Sequence, residues 1–161
     1  MMRRYIEVPI QLLDIEGDGF HIMVKGTIHG KGARFLIDTG ASRSVFDPKT
    51  LSSFIDDLQL EKKEGMTAGV GSSDLESSTF VIDHWTIGEL EINHYEGVAL
   101  DLENIHEMYR KIHLPHIDGI IGGDVLKRYK AVINYRSKKL RLTPTPSSLL
   151  PSSRNSHRGT T

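Results

Sequence analysis

The sequence predicts a mostly β chain, a closed barrel or sandwich with one or two short helices, and three observations carry that expectation. Apolar-rich runs of strand length recur through most of the chain and are punctuated by glycine, of which there are 15 in 161 residues. Helical periodicity is confined to brief stretches. Hydrophobic residues make up 38% of the chain against 25% charged, enough apolar material to bury one sizeable core.

The elements follow in order. Tyr5 to Leu13 and Phe20 to Ile28 are apolar-rich runs joined by Glu16-Gly17-Asp18-Gly19, which reads as a hairpin turn. Gly30-Lys31-Gly32 turns the chain again into a strand from Ala33 to Ile37. Ser44-Val45-Phe46 is a short strand. Asp47-Pro48 then supplies a side-chain acceptor and a proline suited to the first helical position, so a brief helix is expected near Leu51 to Leu58. Met66 to Phe80 contains Ala68-Gly69-Val70-Gly71-Ser72-Ser73, a glycine-rich bend between β-like flanks. Thr79 to Ile82, Trp85 to Ile87 and Glu91 to Leu100 continue the strand pattern, with Trp85 expected as a packed core aromatic. Leu102 to His113 is the longest helix candidate, with Ile105, Met108 and Ile112 at helical spacing and Pro115 ending it. Asp124 to Tyr129 reads as a short helix. Ala131 to Asn134 and Lys139 to Leu142 read as a closing hairpin around Tyr135-Arg136-Ser137-Lys138. Residues 1–142 are expected to form one domain, and the Ser, Pro and Thr-rich stretch from Thr143 to Thr161 a disordered tail.

Composition narrows the function classes. A formal net charge of −1 leaves no electrostatic footprint for nucleic acid. The absence of cysteine excludes disulfides and thiolate metal sites and fits a reducing compartment. The N-terminus has Arg3 and Arg4 but no apolar core of a signal peptide, and no stretch is long and apolar enough to span a membrane. A cytoplasmic location is the expectation.

One acid stands out. Phe35-Leu36-Ile37-Asp38-Thr39-Gly40-Ala41-Ser42 delivers a carboxylate from a buried apolar run into a turn of small residues. Desolvating a carboxylate is costly unless something compensates. Thr39 and Ser42 supply hydroxyls that can hold the acid, and Gly40 permits close approaches that a side chain forbids. Taken alone, Asp-Thr-Gly reads as a turn cap; its apolar flank and a distant second segment, Ile117-Asp118-Gly119-Ile120-Ile121-Gly122-Gly123-Asp124-Val125-Leu126, change the reading.

The two segments together resemble the retropepsin-like aspartic proteases, and the resemblance runs from about Tyr5 to about Leu142. It implies that Asp38 is catalytic, that Thr39 braces the loop, that Gly40 lets a substrate backbone approach, and that Ala41 and Ser42 continue the loop. It further implies that Ile120, Ile121 and Gly122 pack behind that loop, and that Gly69, Val70 and Gly71 belong to a flap closing over substrate. Many retroviral members have an acid where Ser42 stands, so contacts there are expected to differ. The implied activity is hydrolysis of extended peptides with apolar side chains about the scissile bond, with no cofactor. Peptide hydrolysis by carboxylates takes two of them, yet the chain has one Asp-Thr-Gly and no Asp-Ser-Gly. The expected solution is a homodimer presenting Asp38 twice across a two-fold axis, with the active site at the interface. The alternative is a catalytically silent module that dimerises or binds peptide.

Other signals rank lower. Asp124 reads as the cap of a helix starting at Val125 rather than a second acid. Gly122 and Gly123 lack the following Lys-Ser/Thr of a phosphate loop, His106, His113 and His116 lack a metal-binding helix motif, and no Gly-x-Ser-x-Gly appears. No metal is expected.

Overall fold

The computed structural model describes residues 4–62 and 77–146. The expected flap residues Gly69, Val70 and Gly71, and residues 147–161 of the expected tail, lie outside the described residues.

In chain order the elements are β1 (Ile6–Pro9), β2 (Gln11–Asp14), β3 (Phe20–Ile28), β4 (Lys31–Ile37), β5 (Val45–Phe46), α1 (Pro48–Phe54), β6 (Glu61–Lys62) and β7 (Ser78–Ile87), followed by β8 (Leu90–Ala99), α2 (Glu103–Lys111), β9 (Gly119–Ile121), α3 (Gly123–Arg128), β10 (Val132–Asn134) and β11 (Lys139–Leu142). The large sheet runs β2-β3-β4-β9-β5-β8-β7-β6, and a further β3–β7 pairing closes six of its strands into a barrel. A second sheet, β1-β11-β10, packs against it through Val8, Leu140 and Leu142. The chain is therefore mostly β with a closed barrel and a few short helices, as its glycine-punctuated runs imply.

The barrel interior is filled by Phe35, Phe46, Phe80, Ile82, Trp85 and Ile121, among others. Trp85 sits at its aromatic centre, with ring centroids 5.7 Å from Phe35, 5.2 Å from Phe46 and 4.9 Å from Tyr95, all edge-on. A second cluster lies outside the barrel wall, where Leu13, Met23, Leu36 and Ile120 meet Leu102, Tyr109 and Ile117. This explains why Phe35, Leu36 and Ile37 are all apolar: the end of β4 is covered on both faces.

Several boundaries differ from the sequence expectation. Tyr5 to Leu13 is two strands, because after Pro9 the chain leaves β11 for β3, with the Ile10 N–H donating to Lys138 O at 3.0 Å. The second turn is His29-Gly30, both at positive φ (48° and 79°), which pairs Ile28 with Lys31 and leaves Lys31 and Gly32 in β4. Helix α1 begins at Pro48 as its cap dictates but stops at Phe54, where Ile55 turns extended. Thr79 to Ile82 and Trp85 to Ile87 form one strand. Its inward-facing phase shifts at Asp83-His84, opposite His94 at φ 54°, which mimics a break in the sequence pattern. In α2 the buried residues are His106 and Tyr109 rather than the Ile105, Met108 and Ile112 stripe. Polar partners make that possible: His106 Nε2 lies 2.7 Å from Ile117 O, and the Tyr109 hydroxyl 2.6 Å from His21 Nδ1. Residues 143–146 are described, and the Thr143 N–H donates to Tyr129 O at 2.6 Å. Among the described residues no helix is long and apolar enough to cross a membrane.

Barrel closure has a sharp steric requirement. A Cβ on Gly26 would lie 1.8 Å from Thr86 O, where β3 meets β7, whereas one on Gly32 meets nothing within 4 Å. We expect Gly26→Ala to cost at least about 4 kcal/mol in urea unfolding and Gly32→Ala less than about 1 kcal/mol. Equal stability of the two variants would contradict this closure.

Candidate functional site

The site is built where β4 ends beside β9. These strands run parallel, with Leu36 opposite Ile120 and Ile37 opposite Ile121. The register carries past the last pair, since the Asp38 N–H donates to Ile121 O at 3.0 Å. Asp38 then leaves the core, and Asp38, Thr39 and Gly40 are all exposed. The Asp38 carboxylate accepts the Gly40 N–H through Oδ1 at 2.9 Å, and the Ala41 N–H donates to Asp38 O at 3.1 Å. Among the described residues, Gly40 is the only hydrogen-bond partner of that carboxylate.

The floor of the loop is the segment from Ile121 to Asp124. A Cβ on Gly122 would stand 2.7 Å from Ala41 O and from the Arg43 carbonyl, so no side chain fits there. Because the two backbones meet so closely, the Gly123 N–H donates to Ala41 O at 2.7 Å and the Asp124 N–H to Ser42 O at 3.1 Å. Ile121 and Gly122 thus contact the Asp38–Ser42 loop through their backbone, while Ile120 pairs with Leu36 and Val45 on either side of it. Gly122 and Gly123 turn the chain into α3.

Asp124 corrects one sequence reading. It does not cap the helix: Gly122 occupies the cap position, without a side-chain hydrogen bond, and Asp124 lies in the first turn. Its Oδ1 instead accepts both the N–H and the hydroxyl of Ser44, each at 2.8 Å, and its Oδ2 accepts the Tyr95 hydroxyl at 2.6 Å. The Ser44 hydroxyl in turn accepts the Gly122 N–H at 2.9 Å. Ser44 is fully buried. Sequence reasoning identified Asp124 as structural but missed Ser44 and Tyr95, which carry no local signature; only the barrel brings β8 to α3.

Two buried acids support the surroundings. Asp47 caps α1, accepting from the N–H groups of Lys49 (2.8 Å) and Thr50 (3.2 Å), and its other oxygen accepts the Leu102 N–H at 2.9 Å, tying α1 to the start of α2. Asp118 precedes β9 and zips it to β4 by exchanging hydrogen bonds with the Arg34 backbone, both at 2.8 Å. Burial raises the Asp118 carboxyl above the usual range, opposed by that Arg34 N–H and by His116 3.6 Å away. The His106 and His116 rings stack at 4.3 Å, but among the described residues no group of histidines and carboxylates is arranged to hold a metal. Beyond the loop, an open groove of about 550 Å³ is lined by Arg43, Asp56, Asp57, Glu61 and Glu96 among others.

The raised Asp118 pKa fixes a sign. The folded chain holds this proton more tightly than the unfolded chain, whose value is near 3.8, so the ionised carboxylate weakens the fold at neutral pH and the penalty fades as pH falls through the raised value. Asp118→Asn is expected to be more stable than the parent at pH 7, with the gap closing as pH falls toward about 4. Urea unfolding at both pH values measures it, and a gap that widens on acidification would contradict the assignment.

The family profile described as aspartyl protease matches residues 24–125, more than half of the chain. Two solved structures share the fold. One is a retropepsin-like aspartic protease from Rickettsia conorii, at TM-score 0.50 and 17% identity, covering 87% of this chain and 91% of that one. The other is the retroviral protease-like domain of Ddi1 from Leishmania major, at TM-score 0.50 and 20% identity, covering 80% and 96% respectively. A search of curated protein sequences finds no significant match.

Proposed function

Because this chain belongs to the aspartyl protease family, in its retropepsin-like form, we propose that it is an endopeptidase whose active site forms when two copies bring their Asp38 carboxylates together. The observation that carries this reading is the placement of Asp38. Its carboxylate stands exposed at the start of a loop whose backbone is tied to β9 and α3 on the inner side, and the chain has no second Asp-Thr-Gly to face it.

The chemistry follows from like charges at close range. Two carboxylates a few ångströms apart do not both ionise readily, so the pair shares a proton. The ionised Asp38 takes a proton from a water as that water attacks the peptide carbonyl. The protonated partner hydrogen-bonds the carbonyl oxygen and then protonates the leaving amine. The Gly40 N–H at Oδ1 ties the carboxylate to the backbone of its own loop. In this reading Thr39 braces the paired loops and Gly40 admits the substrate backbone.

Asp38→Asn tests the mechanism. Cleavage of a peptide library by the parent, blocked by an aspartic-protease transition-state analogue, is expected to drop on the order of 10²- to 10⁴-fold in the variant. Mixing tests the pairing: with excess Asp38→Asn chain, activity per parent chain should fall with the parent's share of the mixture, because mixed dimers carry one Asp38. Activity unaffected by the excess would rule out a shared site. Cleavage surviving Asp38→Asn would rule out the carboxylate mechanism, and peptide binding without cleavage by either protein would favour a silent binding module.

A further inference from the structure

We propose that Ser44, Asp124 and Tyr95 act as one positioning relay that sets the height of the Asp38 loop, an inference that rests on the protease reading of that loop. None of the three touches Asp38. Together they control the span between Asp38 and the start of β5.

The relay joins three elements through one carboxylate. Asp124 offers two oxygens, and both are occupied: Oδ1 by the Ser44 N–H and hydroxyl at 2.8 Å each, Oδ2 by the Tyr95 hydroxyl at 2.6 Å. Hydrogen bonds to an ionised acceptor at such distances are among the stronger ones in proteins. The Ser44 proton is committed to Asp124, so its oxygen is free to accept the Gly122 N–H at 2.9 Å. The Asp124 main chain adds a further tie to the loop through Ser42 O at 3.1 Å. A displacement of Asp124 is therefore felt at Ser42, at Ser44 and at Gly122 together, which hold the end of the loop that leads into β5.

Tyr95 supplies the fixed point. Its ring is wedged against Trp85 at 4.9 Å and Phe46 at 6.2 Å, within the barrel's aromatic cluster. Burial, reinforced by its bond to Asp124, pushes the Tyr95 phenol well above its ordinary value, so it remains a donor. The barrel core thereby dictates where Asp124 sits, and Asp124 dictates where the loop sits. The acid, rather than an amide, is required at full strength: an asparagine has one acceptor oxygen, which serves Ser44, while its NH₂ would face the Tyr95 hydroxyl and leave the phenol proton without its acceptor.

The experiment compares Asp124→Ala, Asp124→Asn and Tyr95→Phe, with folded sites counted by titration with a tight active-site inhibitor. For Asp124→Ala kcat per site is expected to fall about 10- to 100-fold with KM within about twofold, as for a reacting group displaced on the ångström scale. Asp124→Asn should recover most of that loss and Tyr95→Phe should fall between them. Unchanged kcat in Asp124→Ala, or a rise in KM at constant kcat, would overturn the relay, as would an Asp124→Asn no better than Asp124→Ala. If the parent cleaves nothing, or cleavage survives Asp38→Asn, the protease reading fails separately. The relay is then read from amide hydrogen exchange: faster exchange at Ala41 in Asp124→Ala and Tyr95→Phe, with β3 and β4 unchanged, supports it, and unchanged Ala41 exchange refutes it.

Discussion

The meeting of two backbones at Gly122 is the constraint on which the rest of this structure depends. Residues about 80 positions apart in the chain approach until a Cβ would stand 2.7 Å from Ala41 O. Only at that distance do the Gly123 and Asp124 amides reach the carbonyls of Ala41 and Ser42. Fixing the backbone of a free loop costs roughly 1–2 kcal/mol per residue in conformational entropy. Here the ordering is shared with the barrel, because the parallel pairing of β4 and β9 has already brought the two segments together. Exposure of Asp38 and rigidity of its backbone are thus obtained at once, which is unusual for a surface loop.

The carboxylates packed near this contact follow one pattern: each ties its own element to another. Asp47 caps α1 and receives the first amide of the α2 region. Asp118 binds β4 from the start of β9, and Asp124 links α3 to β5 and β8. Buried polar groups are costly when unpaired and specify a unique arrangement when satisfied. Around the Asp38 loop they replace the apolar packing that a site open to solvent cannot have.

Local chemistry was legible in the sequence, and long-range geometry was not. The cap at Asp47 with Pro48 behind it could be read directly, because capping is decided within a few residues. The strand leading to Asp38 was equally plain. The handover of the chain from one sheet to the other at Pro9-Ile10 left no pattern, since both segments alternate in the same apolar way. Helix α2 misled for a physical reason: periodicity counts apolar residues, and this helix buries a histidine and a tyrosine whose partners lie elsewhere in the chain. Asp124 misled similarly, because an acid before an apolar turn looks like a cap unless the Ser44 and Tyr95 hydroxyls are known to converge on it.

Trp85 gives the molecule a built-in reporter. It is the single tryptophan of the chain, fully buried among Phe35, Phe46 and Tyr95, and its indole N–H has no hydrogen-bond partner among the described residues. An indole in so apolar a setting emits at short wavelength and shifts to the red once solvent enters. Its fluorescence therefore registers the opening of the barrel, whereas the exposed Asp38 loop can rearrange without bringing solvent to the indole. Loss of the fold and loss of the site can be told apart by the colour of the emitted light.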